Sequence, residues 1–515
     1  MARAAALEKH RLLGRDVAAR VPASRPGAPR VLVGCLRAMP DHTAYEVVLA
    51  QALRERGAEV ALLTCGGGLP ACEMGWPRNG APRPCNTCGW VTDALASASG
   101  LRHFRLADEL PWGGDARRAP GEPGPMGGLD PVEGALPSAV WSVRTSEIME
   151  HPDGPALLRD HAVATAGAYA ATERVLDEFR PDVVFLLNGM FAAEHGIRAA
   201  ALSRGIRVPT YELAPRGGAL VLSQHGVAPK FELGRLWDSC KGTPLTDGEE
   251  LALDHMLRAR TSGRGAHEPY DFAAAEDGRQ LREGLQLPAD ARIVSLFSNI
   301  AWDTALQEND LAYSSMIDFI VDAVRMAGDS DATHLVVRSH PAEVKWGTGQ
   351  PIEASVRARL GDVPPNVRFV GPADTLNSYS LIESSEAVLC YASTVGLEAA
   401  VSGVPVAVAA DVHYRGRGFT IDINTPADVA SVLNEPPARM SREQVDLARR
   451  YAFAFFFRAM VPLGSVSRKL DGTVDTMPTT ASQLRVGVDP RLDFICDRIL
   501  DGGEFDLPVE LATDQ

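Results

Sequence analysis

The stretch Val388-Leu-Cys-Tyr-Ala-Ser-Thr-Val-Gly-Leu-Glu398, continued through Val404-Pro-Val-Ala-Val408, constrains the fold more than any other part of the chain. The apolar run from Ala387 to Leu389 predicts a buried strand, and the small residues from Val395 to Ser402 predict a helix. Ser393-Thr394 forms the turn between them, Gly403-Val-Pro405 stops the helix, and a second buried strand follows. This is a β-turn-α-β unit with hydroxyls at its turn, where the first free N–H groups of the helix point outward. Such a terminus suits an anion, and phosphate is its usual occupant.

The same alternation recurs along the chain. Arg30-Val-Leu-Val-Gly34 and Ala58 to Leu63 predict strands around a helix entered at Thr43-Ala-Tyr-Glu46, which fits a capping box. A helix over 155–179, a strand over 182–187, a helix over 192–204 and a strand over 206–211 continue the series. A second series runs through strands at 291–297, 333–338 and 366–370 and a helix at 375–383 into the opening unit. The expected class is α/β, with two Rossmann-like domains facing across a cleft and C-terminal helices, the layout called GT-B. The expected boundaries are a flexible extension at 1–28 with no core role and an N-terminal acceptor domain at 29–229. A helical connector at 230–289, a C-terminal nucleotide-binding domain at 290–440, and helices at 441–515 packing back across the domains complete the division. The Gly- and Pro-rich run from Pro111 to Pro137 is expected to be loop.

A chain of 515 residues exceeds what one hydrophobic core supports, which is why two domains are expected. Its net charge of −15 argues against a nucleic-acid partner, since such binding needs a basic face. No apolar run reaches the length of a spanning helix, and the N-terminal segment lacks the apolar core of a signal peptide, so a cytoplasmic location is expected. Eight cysteines are too few for a disulfide scaffold, but Cys65, Cys72, Cys85 and Cys88 cluster within a segment that cannot build its own core. Four thiolates there would suit a structural zinc ion, with an iron–sulfur cluster as the other use of the same ligand set.

Arg338-Ser-His-Pro341 ends a strand, where open parallel sheets place ligand-binding groups, and the proline fixes the direction of His340. A histidine or imidazolium there can donate to a phosphate or stabilise a leaving group. Together with Ser393-Thr394-Val-Gly-Leu-Glu398, the loop His413-Tyr-Arg-Gly-Arg-Gly-Phe-Thr420 and Phe297-Ser-Asn-Ile-Ala-Trp-Asp303, this motif resembles the capsule polysaccharide biosynthesis family of GT-B proteins. The family includes transferases that use CMP-Kdo, and its His-Pro and Ser/Thr motifs are similar to those that bind the CMP phosphate in bacterial GT-B sialyltransferases. The resemblance covers mainly residues 290–425.

The resemblance implies a glycosyltransferase acting on a nucleotide-sugar donor, either a CMP-sugar or an NDP-sugar, and a glycan or small-molecule acceptor. His340 would bind the donor phosphate and help the nucleotide leave, Ser393 and Thr394 would bind the same phosphate, and Glu398 would reach the ribose. Arg338, Asn299, Arg415 and Arg417 join the donor site, Arg415 and Arg417 as forks for carboxylate or phosphate, and Asp303 is a further catalytic candidate. The flexible loop carrying Arg415 and Arg417 would act as a lid. The acceptor-side base is expected after the first strand, at Asp41 or His42, with Glu194, His195 and Glu212 as rivals. Asp329-Ser-Asp331 precedes its strand, the wrong end for a nucleotide-bound metal, so no catalytic metal is expected. The competing readings are a sugar-nucleotide 2-epimerase of the same fold and a non-catalytic partner in capsule assembly or export.

Overall fold

A computed structural model describes residues 2–21, 26–74, 85–264, 272–330, 333–468 and 474–513. In chain order the strands that matter are β1 (Arg30–Gly34), β2 (Glu59–Thr64), β3 (Arg102–Arg105), β4 (Val183–Leu187), β5 (Thr210–Leu213) and β6 (Ala219–Ser223). They continue with β7 (Ile293–Phe297), β8 (His334–Arg338), β9 (Val367–Val370), β10 (Ala387–Cys390), β11 (Val406–Val408), β12 (Ile421–Asp422) and β13 (Met460–Pro462). The chain divides into two compact units. The first takes residues 1–143, 147–232 and 458–514, and the second takes 144–146 and 233–457.

The sheet of the first unit has the order β13-β6-β5-β4-β1-β2-β3. β1, β2, β3, β4 and β5 run parallel, whereas β6 pairs antiparallel with β5 and β13 pairs antiparallel with β6. Val31, Leu32 and Val33 of β1 and the middle of β4 are fully buried, because helices cover both faces of a central parallel strand. The helix Gly154–Phe179 supplies much of one cover through Ala164, Ala168, Ala171, Val175 and Phe179. β3 and β6 are strands that sequence reading missed: β3 is largely polar, whereas β6 carries the apolar run Ala219-Leu-Val-Leu222.

Three expectations for this unit are corrected. The N-terminal segment is no free extension: the helix Ala2–Arg20 packs on the helix Cys85–Ser99 and buries Leu13 and Val17 completely. The run expected to be loop contains the helix Pro131–Val143, with Pro137 inside it. The helix after β1 begins at Pro40 with no side-chain cap, and Glu46 faces inward instead of closing a capping box. The proline sets the helical φ one turn earlier than the Thr43 signal suggests.

The sheet of the second unit has the order β12-β11-β10-β7-β8-β9, and its pairings are parallel throughout. Its strands are short and apolar, and the helix Met316–Gly328 covers one face with Ile317, Phe319, Ile320, Ala323, Val324 and Ala327. The expected connector supplies the helix Asp247–Thr261, whose start carries a capping box between Thr246 and Glu249. The expected helix over 441–460 is shorter: it runs from Arg442 to Phe453, passes through a π-turn over Ala454–Arg458 and yields to β13. The two Rossmann-like α/β units expected for the class are thus present.

Because Leu13 is fully buried, Leu13→Ala should destabilise the first unit by about 2–5 kcal/mol, the cost of an unfilled core site. The check is a urea titration. An unchanged midpoint would mean that the N-terminal helix is an appendage after all.

Candidate functional site

The register of the second sheet sets the site. Cys390 of β10 pairs with Phe297 of β7, and Phe297 pairs with Arg338 of β8, so three strands end level. The residues just beyond those ends, Ser393-Thr394, Ser298-Asn299 and His340, therefore share one edge of the sheet, the carboxyl edge where such folds bind ligands. Two hydrogen bonds tie that edge together. The His340 N–H donates to Ser298 Oγ at 3.1 Å, and the Ala392 N–H donates to Asn299 Oδ1 at 3.2 Å. Sequence reading missed Ser298, although it lies within the motif that contains Asn299.

His340 is half-buried and accepts the Ala342 N–H at its Nδ1, 3.1 Å away. An acceptor Nδ1 puts the ring proton on Nε2. Enclosure of the ring, with Arg338 nearby, lowers its pKa to about 4, so the group is a neutral donor at physiological pH and no imidazolium. Thr394 is half-buried and its side chain makes no capping bond, which leaves the hydroxyl without structural duty in the helix Val395–Val401. The Val395 N–H approaches Ser393 Oγ at 3.4 Å.

Behind the Ser393 turn the packing is tight. Tyr414 Oη donates to the Ser393 carbonyl at 2.6 Å and lies 3.4 Å from Cys390 Sγ. A Cβ at Gly396 would meet both the Tyr414 hydroxyl and the Cys390 sulfur, so glycine is what admits this buttress. Glu398 is 2 % exposed and accepts from Arg260 at 2.7 and 2.9 Å and from the Tyr379 hydroxyl. The Arg260 guanidinium also lies over the Phe456 ring.

Several expected roles change accordingly. Glu398, expected at the ribose, is committed to a buried ion pair. Arg338 is 2 % exposed and donates to the Gly371 and Asp374 carbonyls, so it clips a loop behind β8 and does not reach out as a fork. Arg415 likewise donates to the carbonyls of Val408 and Ile423 and to Asn424 Oδ1. The loop holding it is no lid: Tyr414 is fully buried, and His413 stacks on Phe455 at 4.2 Å with its pKa lowered to about 3 by burial. Arg417 lines a shallow groove with Trp237, Asp238, Lys241, Gly416, Gly418 and Leu447. Asp303 lies in the turn after β7, where its carbonyl accepts the Leu306 N–H at 3.1 Å. Asp329 precedes β8 at the amino edge of the sheet, and Asp331 lies outside the described residues.

In the first unit, His42 is buried on the first turn of the helix Pro40–Glu55 and its Nδ1 lies 3.3 Å from the Tyr211 hydroxyl. Asp41 is half-buried beside it and accepts the His42 N–H at 3.0 Å. The rivals are engaged elsewhere. Glu194 is 1 % exposed and pairs with Arg37, Glu212 accepts from Asn188 at 3.2 Å, and the side chain of His195 packs against Gly134, where a Cβ would collide with it.

Among the described residues, no group of three or more histidine, cysteine, aspartate or glutamate side chains is placed to hold a metal ion. The expected metal at Cys65, Cys72, Cys85 and Cys88 is therefore corrected. Burial raises Cys65 to about 12 and pushes Cys72 and Cys88 upward. The loop is stapled by an ion-pair network instead. Arg37, after β1, pairs with Glu73 of the cysteine loop and with Glu194 of the helix Ala192–Ser203. Ser138 extends it, donating to Glu73 at 3.3 Å and accepting the Ala192 N–H at 2.8 Å. No helix among the described residues is long and apolar enough to cross a membrane.

Comparison with known proteins agrees with the motif reading. Residues 277–450 match the model of the family described as capsule polysaccharide biosynthesis protein, so the resemblance holds over the segment that carries the motifs. No curated protein sequence matches the chain. Among solved structures, the chain is similar to a KpsC beta Kdo 2,4 transferase of Thermosulfurimonas dismutans, at 13% identity and a TM-score of 0.39, over 58% of this chain and 86% of that one. It is also similar to a putative UDP-N-acetylglucosamine 2-epimerase of Listeria monocytogenes, at 12% identity and a TM-score of 0.30, over 84% of this chain and 94% of that one. A third likeness is to the glycosyltransferase SnogD of Streptomyces nogalater, at 14% identity and a TM-score of 0.24, over 83% and 95% of the two chains. At these scores no site geometry is carried over from any of the three.

Two stability tests follow from the buried charges. Arg37→Ala leaves Glu73 and Glu194 buried without their partner and should cost about 3–5 kcal/mol, whereas a surface arginine replaced as a control should cost under about 1 kcal/mol. Burial raises the Glu343 carboxyl from 4.5 to about 7, so between those pH values the folded state holds the extra proton and stability falls as pH rises. Glu343→Gln should therefore raise Tm relative to the parent at pH 8 and lose that advantage at pH 4.5. A gain of equal size at both pH values would count against a titrating Glu343.

Proposed function

We propose that the protein is a glycosyltransferase that moves a sugar from a nucleotide-sugar donor to a glycan or small-molecule acceptor. The observation that carries this reading is the level carboxyl edge of β10, β7 and β8, which gathers Ser393, Thr394, Asn299 and the Nε2–H of His340. The family match over 277–450 spans that whole edge and supports the same reading.

In this reading the donor phosphate lies against the Ser393 and Thr394 hydroxyls and accepts a hydrogen bond from His340 Nε2. The acceptor oxygen attacks the anomeric carbon, and the bond from that carbon to the phosphate oxygen breaks. The electron pair stays on the phosphate, where a neutral donor stabilises the developing charge without giving up its proton. A proton must also leave the acceptor hydroxyl, and we assign that role to His42 at the carboxyl end of β1. Catalysis is proposed without a metal ion, because Asp329 stands at the opposite edge of the sheet from His340.

The test is release of free nucleotide from a panel of CMP-, UDP- and GDP-sugars, with and without candidate acceptors. Release that requires acceptor supports transfer, whereas conversion of the donor sugar without acceptor would replace this reading with an epimerase. His340→Ala should reduce kcat by about 100-fold or more, the scale of losing one electrostatic stabiliser. Since burial holds His340 of the free protein neutral above about pH 4, kcat/KM should show no limb from this residue between pH 5 and 7. A limb in that window that vanishes in His340→Ala would overturn the neutral-donor role.

A further inference from the structure

His42, Tyr211 and Glu46 form a hydrogen-bonded series in the first unit that the helix does not need for its own structure. His42 and Glu46 stand four residues apart on the helix Pro40–Glu55, hence on one face. Tyr211 comes from β5, and its ring stacks on Phe185 of β4 with centroids 5.2 Å apart. His42, Glu46 and Tyr211 are 4 %, 3 % and 0 % exposed, so water does not compete for these bonds.

The donor order can be read from the proton count. The Tyr211 hydroxyl donates to Glu46 Oε1 at 2.7 Å, the shorter and stronger contact of the two. A phenol carries one proton, so its oxygen can only accept from His42 Nδ1, 3.3 Å away. That places the imidazole proton on Nδ1 and leaves the lone pair on Nε2.

This inference rests on the transferase reading above. We propose that Tyr211 and Glu46 are positioning residues that hold His42 in its Nδ1–H tautomer, so that Nε2 takes the proton of the acceptor hydroxyl. The O–H bond of the acceptor breaks, its proton passes to Nε2, and its electron pair forms the new bond to the anomeric carbon. The imidazolium so formed keeps its Nδ1–H on Tyr211, with the Glu46 carboxylate behind it as the compensating charge. Other ionisable groups close to the series are Asp41 on the same helix, Cys35 and Arg37 beyond β1, and Glu212 next to Tyr211. Burial pushes the Glu46 carboxyl up, while His42, the Tyr211 hydroxyl, the Cys35 thiol and Arg37 pull it back.

The experiment uses full-length protein labelled with 15N-histidine, with the His42 signals assigned by their loss in His42→Gln. The wild type should show a protonated Nδ1 and an unprotonated Nε2. Tyr211→Phe keeps the stacked ring but removes the acceptor oxygen, and should shift His42 toward Nε2–H. In Glu46→Gln the amide oxygen still accepts from Tyr211, so the tautomer should persist. A wild-type His42 protonated on Nε2, or an unchanged tautomer in Tyr211→Phe, overturns the proposal. With donor and acceptor, Tyr211→Phe should lower kcat by about 10-fold or more at little changed KM, a part of the 100- to 10,000-fold that a general base supplies. An unaltered kcat beside a shifted tautomer would overturn the link to catalysis. The spectra need no substrate, so failure of the wild type to transfer sugar would remove the transferase reading while the tautomer still decides the relay.

Discussion

The second unit depends on one alignment, the level ends of β10, β7 and β8. Parallel strands place all their carboxyl ends on one edge, but they do not by themselves fix the loops that leave it. Here the central strand fixes both neighbours: Ser298 takes the backbone N–H of His340, and Asn299 takes that of Ala392. Backbone donors at strand ends must find acceptors, and the side chains that directly follow β7 supply them. The loops are thereby held by bonds that do not use the His340 ring or the Thr394 hydroxyl.

Buried charge serves the same end from behind. The Arg260–Glu398 pair joins the helix Asp247–Thr261 to the helix that follows Ser393, with Tyr379 satisfying the second carboxylate oxygen. Removing one partner of such a pair costs more than the pair ever gained, so it specifies position more than it adds stability. Arg37 does the corresponding work in the first unit, between Glu73 and Glu194. In both units the arginine is consumed in a buried ion pair with a glutamate on the first turn of a helix.

That division of labour explains what could be read from sequence. The α/β alternation was legible because buried parallel strands are continuous apolar runs, and β1, β4, β7, β8 and β10 all show them. The positions of His340, Ser393 and Thr394 were legible because each follows such a run directly. Glu398 and Arg338 were misread for one shared reason: a charged residue in a motif reads as a ligand contact when its partner is far away in sequence. Glu398 finds Arg260 at a separation of 138 residues, and Arg338 finds carbonyls more than thirty residues on. The cysteine loop was misread similarly, since four thiols are visible in a line of text and an arginine 36 residues before Glu73 is not. Ser298 went unnoticed because its role is to accept a backbone proton, which no side-chain pattern signals.

The neutral state of His340 has a consequence for how the site treats charge. An imidazolium would bind the donor's phosphate monoanion tightly in the ground state and gain less as further charge develops on the leaving oxygen. In the proposed transfer reaction a neutral Nε2–H, fixed in direction by the Ala342 N–H on its other nitrogen, would bind the resting donor weakly and strengthen as the bond to the sugar breaks. Burial beside Arg338 enforces this state, because the carbonyls of Gly371 and Asp374 hold that guanidinium in place behind the ring. Burial keeps the histidine uncharged, the field of Arg338 adds to it, and the hydrogen bonds of Arg338 keep that field where it is.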